Sequence, residues 1–263
     1  MRRNVLMVTF TQMVGLALAA MVTLAATDAA SVQSGNIYQA TLGEPNQKTG
    51  EVSTEELRRI LADGSAIVVD SRKRSEYVAG HIPGARNVKP SPDSPPSEYV
   101  AAVEHLVGGD KSKALVLYCN GPFCQASRRV SEQLVAAGFT NVRRYQLGIP
   151  IWRALGGPTE IELEGILRIF KVDQTAVFFD GRTAEEFSKG SLSGAHNVTA
   201  DNLASEAGRA KVPMPKNDFN TRIVLFGRDS GQARTLADAL SKSPYHNVVY
   251  FPGTFDTLRT AIK

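Results

Sequence analysis

Short apolar runs alternate with amphipathic stretches along most of this chain, and the alternation predicts strands separated by helices. Ile67 to Val69, Leu115 to Tyr118 and Val142 to Tyr145 are runs too short for helices and read as strands, the first two buried. Glu55 to Leu61 reads as a helix capped by Ser53 or Thr54, with Glu56 at capping-box spacing from Ser53. Ala101 to Leu106 is a second helical stretch. Ser127 to Ala137 is a third, with Val130, Leu134 and Val135 on one face and Gly138 as its stop. Strands that alternate with helices at this spacing predict an α/β fold: an open, mostly parallel sheet with helices on both faces.

The pattern occurs twice. Ile67-Val68-Val69-Asp70-Ser71-Arg72 recurs as Ala176-Val177-Phe178-Phe179 followed by Asp180-Gly181-Arg182. Without a gap, Glu76-Tyr77 then answers to Glu186-Phe187, Gly84-Ala85 to Gly194-Ala195 and Asn87-Val88 to Asn197-Val198. Ala114 to Tyr118 is echoed by Arg222 to Phe226, and Asn141-Val142 by Asn247-Val248. Three echoes in one order mean a duplicated domain. The expected organisation is a signal segment over 1–30, a flexible linker over 31–51, a first domain over 52–157 and a second over 158–263.

Composition narrows the class. Hydrophobic residues at 43% and charged residues at 21% are a globular balance. A net charge of +4 with no Lys/Arg block gives no nucleic-acid track, and suits a small anionic substrate as well as a mixed surface. Arg2 and Arg3, the apolar stretch Met13 to Ala26 and the small residues Ala25, Ala26, Ala29 and Ala30 follow the order of a secretory signal. The expected location is periplasmic or secreted, with membrane attachment only if that segment stays uncleaved.

The chemistry is concentrated in one loop. The only two cysteines stand in Cys119-Asn120-Gly121-Pro122-Phe123-Cys124-Gln125-Ala126-Ser127-Arg128. The loop joins a strand ending at Tyr118 to a helix starting near Gln125 or Ser127. A thiol there meets loop N–H groups and the positive end of a helix, and both favour the nucleophilic thiolate. Asn120, Gly121, Phe123 and Arg128 are the candidate substrate contacts, with Arg128 equally readable as a surface residue. Cys124 is either a small packed residue or a redox partner. Asp70 and Arg72 are read as fixing a turn, His81 as a surface or turn residue, and Trp152 as an anchor of the last helix. No metal cluster or nucleotide loop is visible, so no metal and no cofactor are expected.

Asp70-Ser71-Arg72 through Glu76-Tyr77 and Gly80-His81-Ile82-Pro83-Gly84-Ala85 resembles the opening signature of the rhodanese-like family. Gly148-Ile149-Pro150-Ile151-Trp152 with Gly156-Gly157-Pro158 resembles the closing one, and Tyr118-Cys119 matches the family's persulfide-forming cysteine. The resemblance is strong over 52–158 and weak over 159–263. It implies tandem rhodanese-like domains and a sulfurtransferase, exported if the signal reading holds, that moves sulfane sulfur through a Cys119 persulfide. The donor would be a small sulfur-containing anion or persulfide. The acceptor would be a thiol or cyanide-like molecule, or an exported protein. The loop is longer than the family's usual one, and its basic residues are absent from Asn120 to Phe123. The second copy has Gly227 where the first has Cys119, so it cannot form a persulfide. Two other functions stay open: a thiol redox switch using Cys119 and Cys124, and a non-catalytic binding module. A phosphatase of this fold would need arginine where Gln125 stands. A loop wrapped around a central anion is expected to hold two free thiols, Cys119 at its centre and Cys124 at its rim.

Overall fold

A computed structural model of the chain describes residues 46–88, 95–242 and 244–262. The segment read as a signal, and most of that read as a linker, lie outside the described residues. The first repeat comprises β1 (Gly50–Glu51), α1 (Thr54–Asp63), β2 (Ile67–Asp70), α2 (Arg74–Val78), β3 (Arg86–Asn87), α3 (Pro96–Leu106), β4 (Leu115–Tyr118), α4 (Gln125–Ala136), β5 (Val142–Tyr145) and α5 (Gly148–Ala154). The second comprises β6 (Thr159–Glu160), α6 (Leu163–Val172), β7 (Val177–Asp180), α7 (Ala184–Ser188), β8 (His196–Asn197), α8 (Ala200–Ala204), α9 (Glu206–Arg209), β9 (Ile223–Gly227), α10 (Ser230–Ser241), β10 (Val248–Thr254) and α11 (Phe255–Ala261).

Each repeat builds one five-stranded parallel sheet, in the order β1-β5-β4-β2-β3 and β6-β10-β9-β7-β8. The two orders are the same topology written twice. Alternation along the central strands sends side chains to both faces. Val116 and Tyr118 of β4 pack with Leu57, Ile60 and Trp152, whereas Leu115 and Leu117 pack with Val103, Val130 and Leu134. A strand buried on both faces reads as a continuous apolar run, and that is why β4 and β9 stand out in the chain. In β9 the split is Val224 and Phe226 against Ile223 and Leu225.

Helix ends follow local chemistry. Ser53 caps α1, its Oγ accepting from the Glu56 N–H at 3.1 Å, and Gly64 closes the helix at φ +67°. Val135, expected on the inner face of α4, is exposed instead. Gly50 and Glu51, assigned to the linker, form an edge strand because they run beside Arg143 and Arg144 of β5.

The largest departure is His81. Read as a surface or turn residue, it is buried at 1% exposure, its ring stacked on Tyr77 at 3.8 Å. The reason is the second repeat. His81 and Glu160 exchange two backbone hydrogen bonds, at 2.9 and 2.8 Å, so a turn of one repeat is roofed by the first strand of the other. The Glu162 N–H donates to the Val78 carbonyl beside it at 3.0 Å. A Cβ on Gly165 would strike that same carbonyl, so α6 approaches α2 as closely as a backbone can. The described residues of both repeats lie within one compact unit.

Candidate active-site loop

Asp70 ends β2 fully buried, and its carboxylate organises the floor below the loop. Arg72 grips it with Nε at 3.0 Å from Oδ1 and an Nη2 at 2.6 Å from Oδ2, and donates again to the Gly80 carbonyl at 2.8 Å. Burial pulls the Arg72 guanidinium down, but the hydrogen bonds and charge of Asp70 more than offset it, and the net shift is upward. Tyr118 donates its hydroxyl to Asp70 Oδ2 at 2.6 Å and accepts from the Ile82 N–H at 3.0 Å. Burial, then the Asp70 charge, push that phenol well above its ordinary range, so it stays protonated. These contacts hold the end of β4, and with it the residue before Cys119, in place. His81 Nδ1 donates to the Tyr77 carbonyl at 3.0 Å. Burial lowers its pKa to about 4, so near neutral pH it is an uncharged structural ring.

Cys119 follows directly, at the C-terminal end of the middle strand and at 2% exposure. Its Sγ lies 3.4 Å from Ser127 Oγ and 3.3 Å from the Cys124 carbonyl oxygen. Cys124 is the residue before α4, and no side chain caps that helix. The first-turn N–H groups of α4 are therefore free of a competing side-chain acceptor. The expectation of two free thiols is corrected here: Cys119 and Cys124 are joined as a disulfide, with Cα atoms 6.3 Å apart. That separation is within the bridging range. Gly121, at φ +110°, folds the loop back, and the Cys124 N–H donates to the Gly121 carbonyl at 3.0 Å. The tight turn draws Cys124 inward from the rim.

The other candidate contacts occupy distinct places. Asn120 is tied to Glu76 by an Nδ2 to Oε1 bond of 2.6 Å, which anchors the loop to α2. Phe123 is 94% exposed at the tip. Arg128, on the second turn of α4, pairs with Glu132 at 3.1 Å. Three further residues escaped the reading of the sequence. Glu76 was noted as a repeated position but given no role in the loop. Ser127 was quoted in the motif, yet its hydroxyl was not assigned to the sulfur. Gly148 adopts φ +64°, and a Cβ there would strike the Cys119 carbonyl and the Gly121 backbone. The closing motif had therefore located the floor of the loop without revealing it. Among the described residues no group of His, Cys, Asp and Glu could hold a metal ion, and no helix is long and apolar enough to cross a membrane.

Comparison with known proteins agrees with this geometry. A model of the rhodanese-like domain matches residues 53–155 and again 167–259. A thiosulfate:glutathione sulfurtransferase of Homo sapiens is 36% identical over 102 residues, covering 36% of this chain and 84% of that protein. An HTH-type transcriptional regulator of Mycobacterium tuberculosis is 32% identical over 119 residues, covering 45% of this chain and 47% of that protein. A tRNA uridine(34) hydroxylase of Hamiltonella defensa is 29% identical over 128 residues, covering 48% and 34%. The chain thus spans less than half the length of the last two relatives. With two copies of one domain matched across most of its length, this chain belongs to the rhodanese-like family, and a sulfurtransferase is among its relatives.

Proposed function

We propose that this chain is a sulfurtransferase of thiosulfate or persulfide type that carries sulfane sulfur on Cys119. One observation carries the reading: the sulfur sits at the end of the central strand against the uncapped first turn of α4. There the helix dipole and the Ser127 hydroxyl favour a thiolate in the reduced protein, and the same groups favour the negative charge of a persulfide. In the first half-reaction the Cys119 thiolate attacks the sulfane sulfur of a small anionic donor. The donor's S–S bond breaks, and its electron pair leaves on the remaining sulfite or thiolate. In the second, an acceptor thiolate or cyanide-like nucleophile takes the outer sulfur and Cys119 departs as thiolate. Asn120, Gly121 and Phe123 shape the entrance, with Arg128 as a cation on the following helix. No cofactor takes part. The Homo sapiens relative, named for thiosulfate and glutathione, supports this choice of donor and acceptor class.

The disulfide favours a second role for the same loop. With Cys119 and Cys124 joined, the nucleophile is blocked until a thiol reductant supplies two electrons. The loop then acts as a redox switch on its own activity. The signal-like order of residues 2 to 30 supports action in the periplasm or outside the cell, where such a bond persists. An exported protein is then a candidate acceptor. Intact-mass measurement of the reduced chain after thiosulfate treatment tests the enzyme reading. A gain of one sulfur atom, absent in Cys119→Ala, is expected; an unchanged mass in the reduced parent sinks it.

A further inference from the structure

Cys124 stands where a helix takes its capping side chain, at the residue before α4. The corresponding residue before α10 is Asp229, whose carboxylate accepts from the Gln232 N–H at 2.9 Å. The first repeat thus puts a thiol at a position that favours negative charge, and a thiol there ionises more readily. The loop also brings this second sulfur to the first. The bond from the Cys124 N–H to the Gly121 carbonyl, at 3.0 Å, closes the turn between them, and the Cys124 carbonyl lies 3.3 Å from Cys119 Sγ. Asn120 is held to Glu76 at 2.6 Å, and the Ile149 N–H donates to the Cys119 carbonyl at 3.2 Å. The short loop is fixed along its length, and its two sulfurs are bonded in this fold, with Cα atoms 6.3 Å apart. A group held this close to its target reacts as though highly concentrated. Access divides the possible attackers. Cys119 is buried at 2% exposure, so a nucleophile from solvent meets the outer sulfur of a persulfide first, whereas Cys124 reaches Cys119 Sγ itself.

We propose that Cys124 is a resolving thiol that discharges the Cys119 persulfide as hydrogen sulfide, a second activity beside transfer to an external acceptor. The proposal rests on persulfide formation at Cys119. In the step, the Cys124 sulfur attacks Cys119 Sγ. An S–S bond forms between the two cysteines, and the bond from Sγ to the outer sulfur breaks. The outer sulfur takes the electron pair of that bond and the proton that Cys124 gives up, and leaves as HS⁻. The sulfane sulfur is reduced and the two cysteine sulfurs are oxidised, so the step needs no outside oxidant or reductant. The disulfide of this fold is then the product state of the loop as well as a block on it, and a dithiol reductant reopens it for the next turnover. The second repeat, with Gly227 in place of Cys119 and Asp229 before its helix, can perform neither step.

The test uses the full chain, reduced with dithiothreitol, freed of it under nitrogen, and mixed with equimolar thiosulfate and no acceptor. Sulfite, sulfide and intact mass are followed in acid-quenched samples. In the parent, sulfite and a gain of one sulfur atom are expected first. Sulfide then follows, about equimolar with the chain, as the mass settles two hydrogens below that of the reduced protein. Cys124→Ser should release the sulfite, retain the added sulfur, and yield sulfide at about a tenth of the parental rate or less. Cys124→Ala carries the test if Cys124→Ser does not fold. Equal sulfide release by the parent and the variant overturns the proposal, as does a disulfide formed without sulfide. A parent that retains the added sulfur as long as the variant does also overturns it, and leaves the enzyme reading standing. Absence of both sulfite and added sulfur from parent and variant alike breaks the enzyme reading, and this proposal with it.

Discussion

The two repeats share a scaffold and differ in what fills the loop. Below it, the arrangements nearly coincide. Arg182 grips Asp180 as Arg72 grips Asp70, with the shortest bond 2.6 Å in each, and each arginine also donates to a glycine carbonyl at 2.8 Å. One partner has changed hands. The acceptor filled by the Tyr118 hydroxyl in the first repeat is filled in the second by Ser191 Oγ, at 2.7 Å, because Phe226 has no hydroxyl. A buried carboxylate must be satisfied, and whichever element lies nearest can do it. Above it, the loops diverge. Asp229 caps α10, accepting from the Gln232 N–H at 2.9 Å, whereas α4 has no side-chain cap. The second repeat occupies its own anion position with a carboxylate; the first leaves it for sulfur. The comparison separates what the repeats share, Asp and Arg at the strand end, from what differs above it, a cysteine sulfur beside an uncapped helix in one and a carboxylate cap in the other.

The largest effect should come from the sulfur itself. Cys119→Ala is expected to abolish sulfur transfer while leaving the melting temperature within a few degrees, consistent with a change of about 1 kcal/mol in stability. Gly227→Cys in that background should not restore it, since Asp229 still holds the helix terminus; turnover by that double variant would show that the thiol alone suffices. Next, Arg72→Ala should cost about 3–5 kcal/mol in a denaturant titration, because it strands a buried carboxylate. Arg182→Ala should cost somewhat less, its side chain being more exposed at 10%. Equal tolerance of both would end the claim that the two clusters hold the fold.

His81 sharpens the contrast through pH, since Ser191 stands at its place in the second repeat. Its pKa is about 4 in the folded state against 6.5 for an unperturbed histidine. The unfolded chain therefore binds a proton first as pH falls. The stability contributed by the neutral ring is present above pH 6.5 and is lost progressively down to about pH 4. The loss is on the order of 3 kcal/mol. His81→Gln should flatten that part of the pH–stability curve, and a curve parallel to the parent's would show that His81 titrates normally. Tyr118→Phe, which makes the first repeat resemble the second, should cost about 1–3 kcal/mol because no serine stands ready at position 81. The smallest effect is expected for Cys124→Ser. Reduced enzyme should keep its transfer rate, but activity lost to peroxide should no longer return with a thiol reductant. A variant as inactive as Cys119→Ala would put Cys124 in the catalytic step.

Much of this was legible in the chain because it depends on local rules. Burial on two faces wrote the apolar runs of β2, β4 and β9. The echo of Asp70-Ser71-Arg72 in Asp180-Gly181-Arg182 showed the duplication, and the lone cysteine pair marked the loop. Those features need only side-chain period, turn chemistry and the end of a strand. The sequence by itself determined the fold class, the presence of two rhodanese-like repeats and which of them has cysteines. What it could not decide depended on groups far apart in the chain. Whether Cys124 points outward or inward was set by the Gly121 turn and by Gly148, which lets α5 lie against the loop from 29 positions past Cys119. Whether His81 is a wet turn or a buried ring depended on Glu160 in the other repeat. Arg153 and Arg222 come from different repeats, and only packing sets Arg153 within reach of the Arg72 and Arg222 charges and Arg222 within reach of that of Asp173. Periodicity records what a residue does within its own element; charge balance and access are properties of the space between elements, and only the tertiary structure encloses that space.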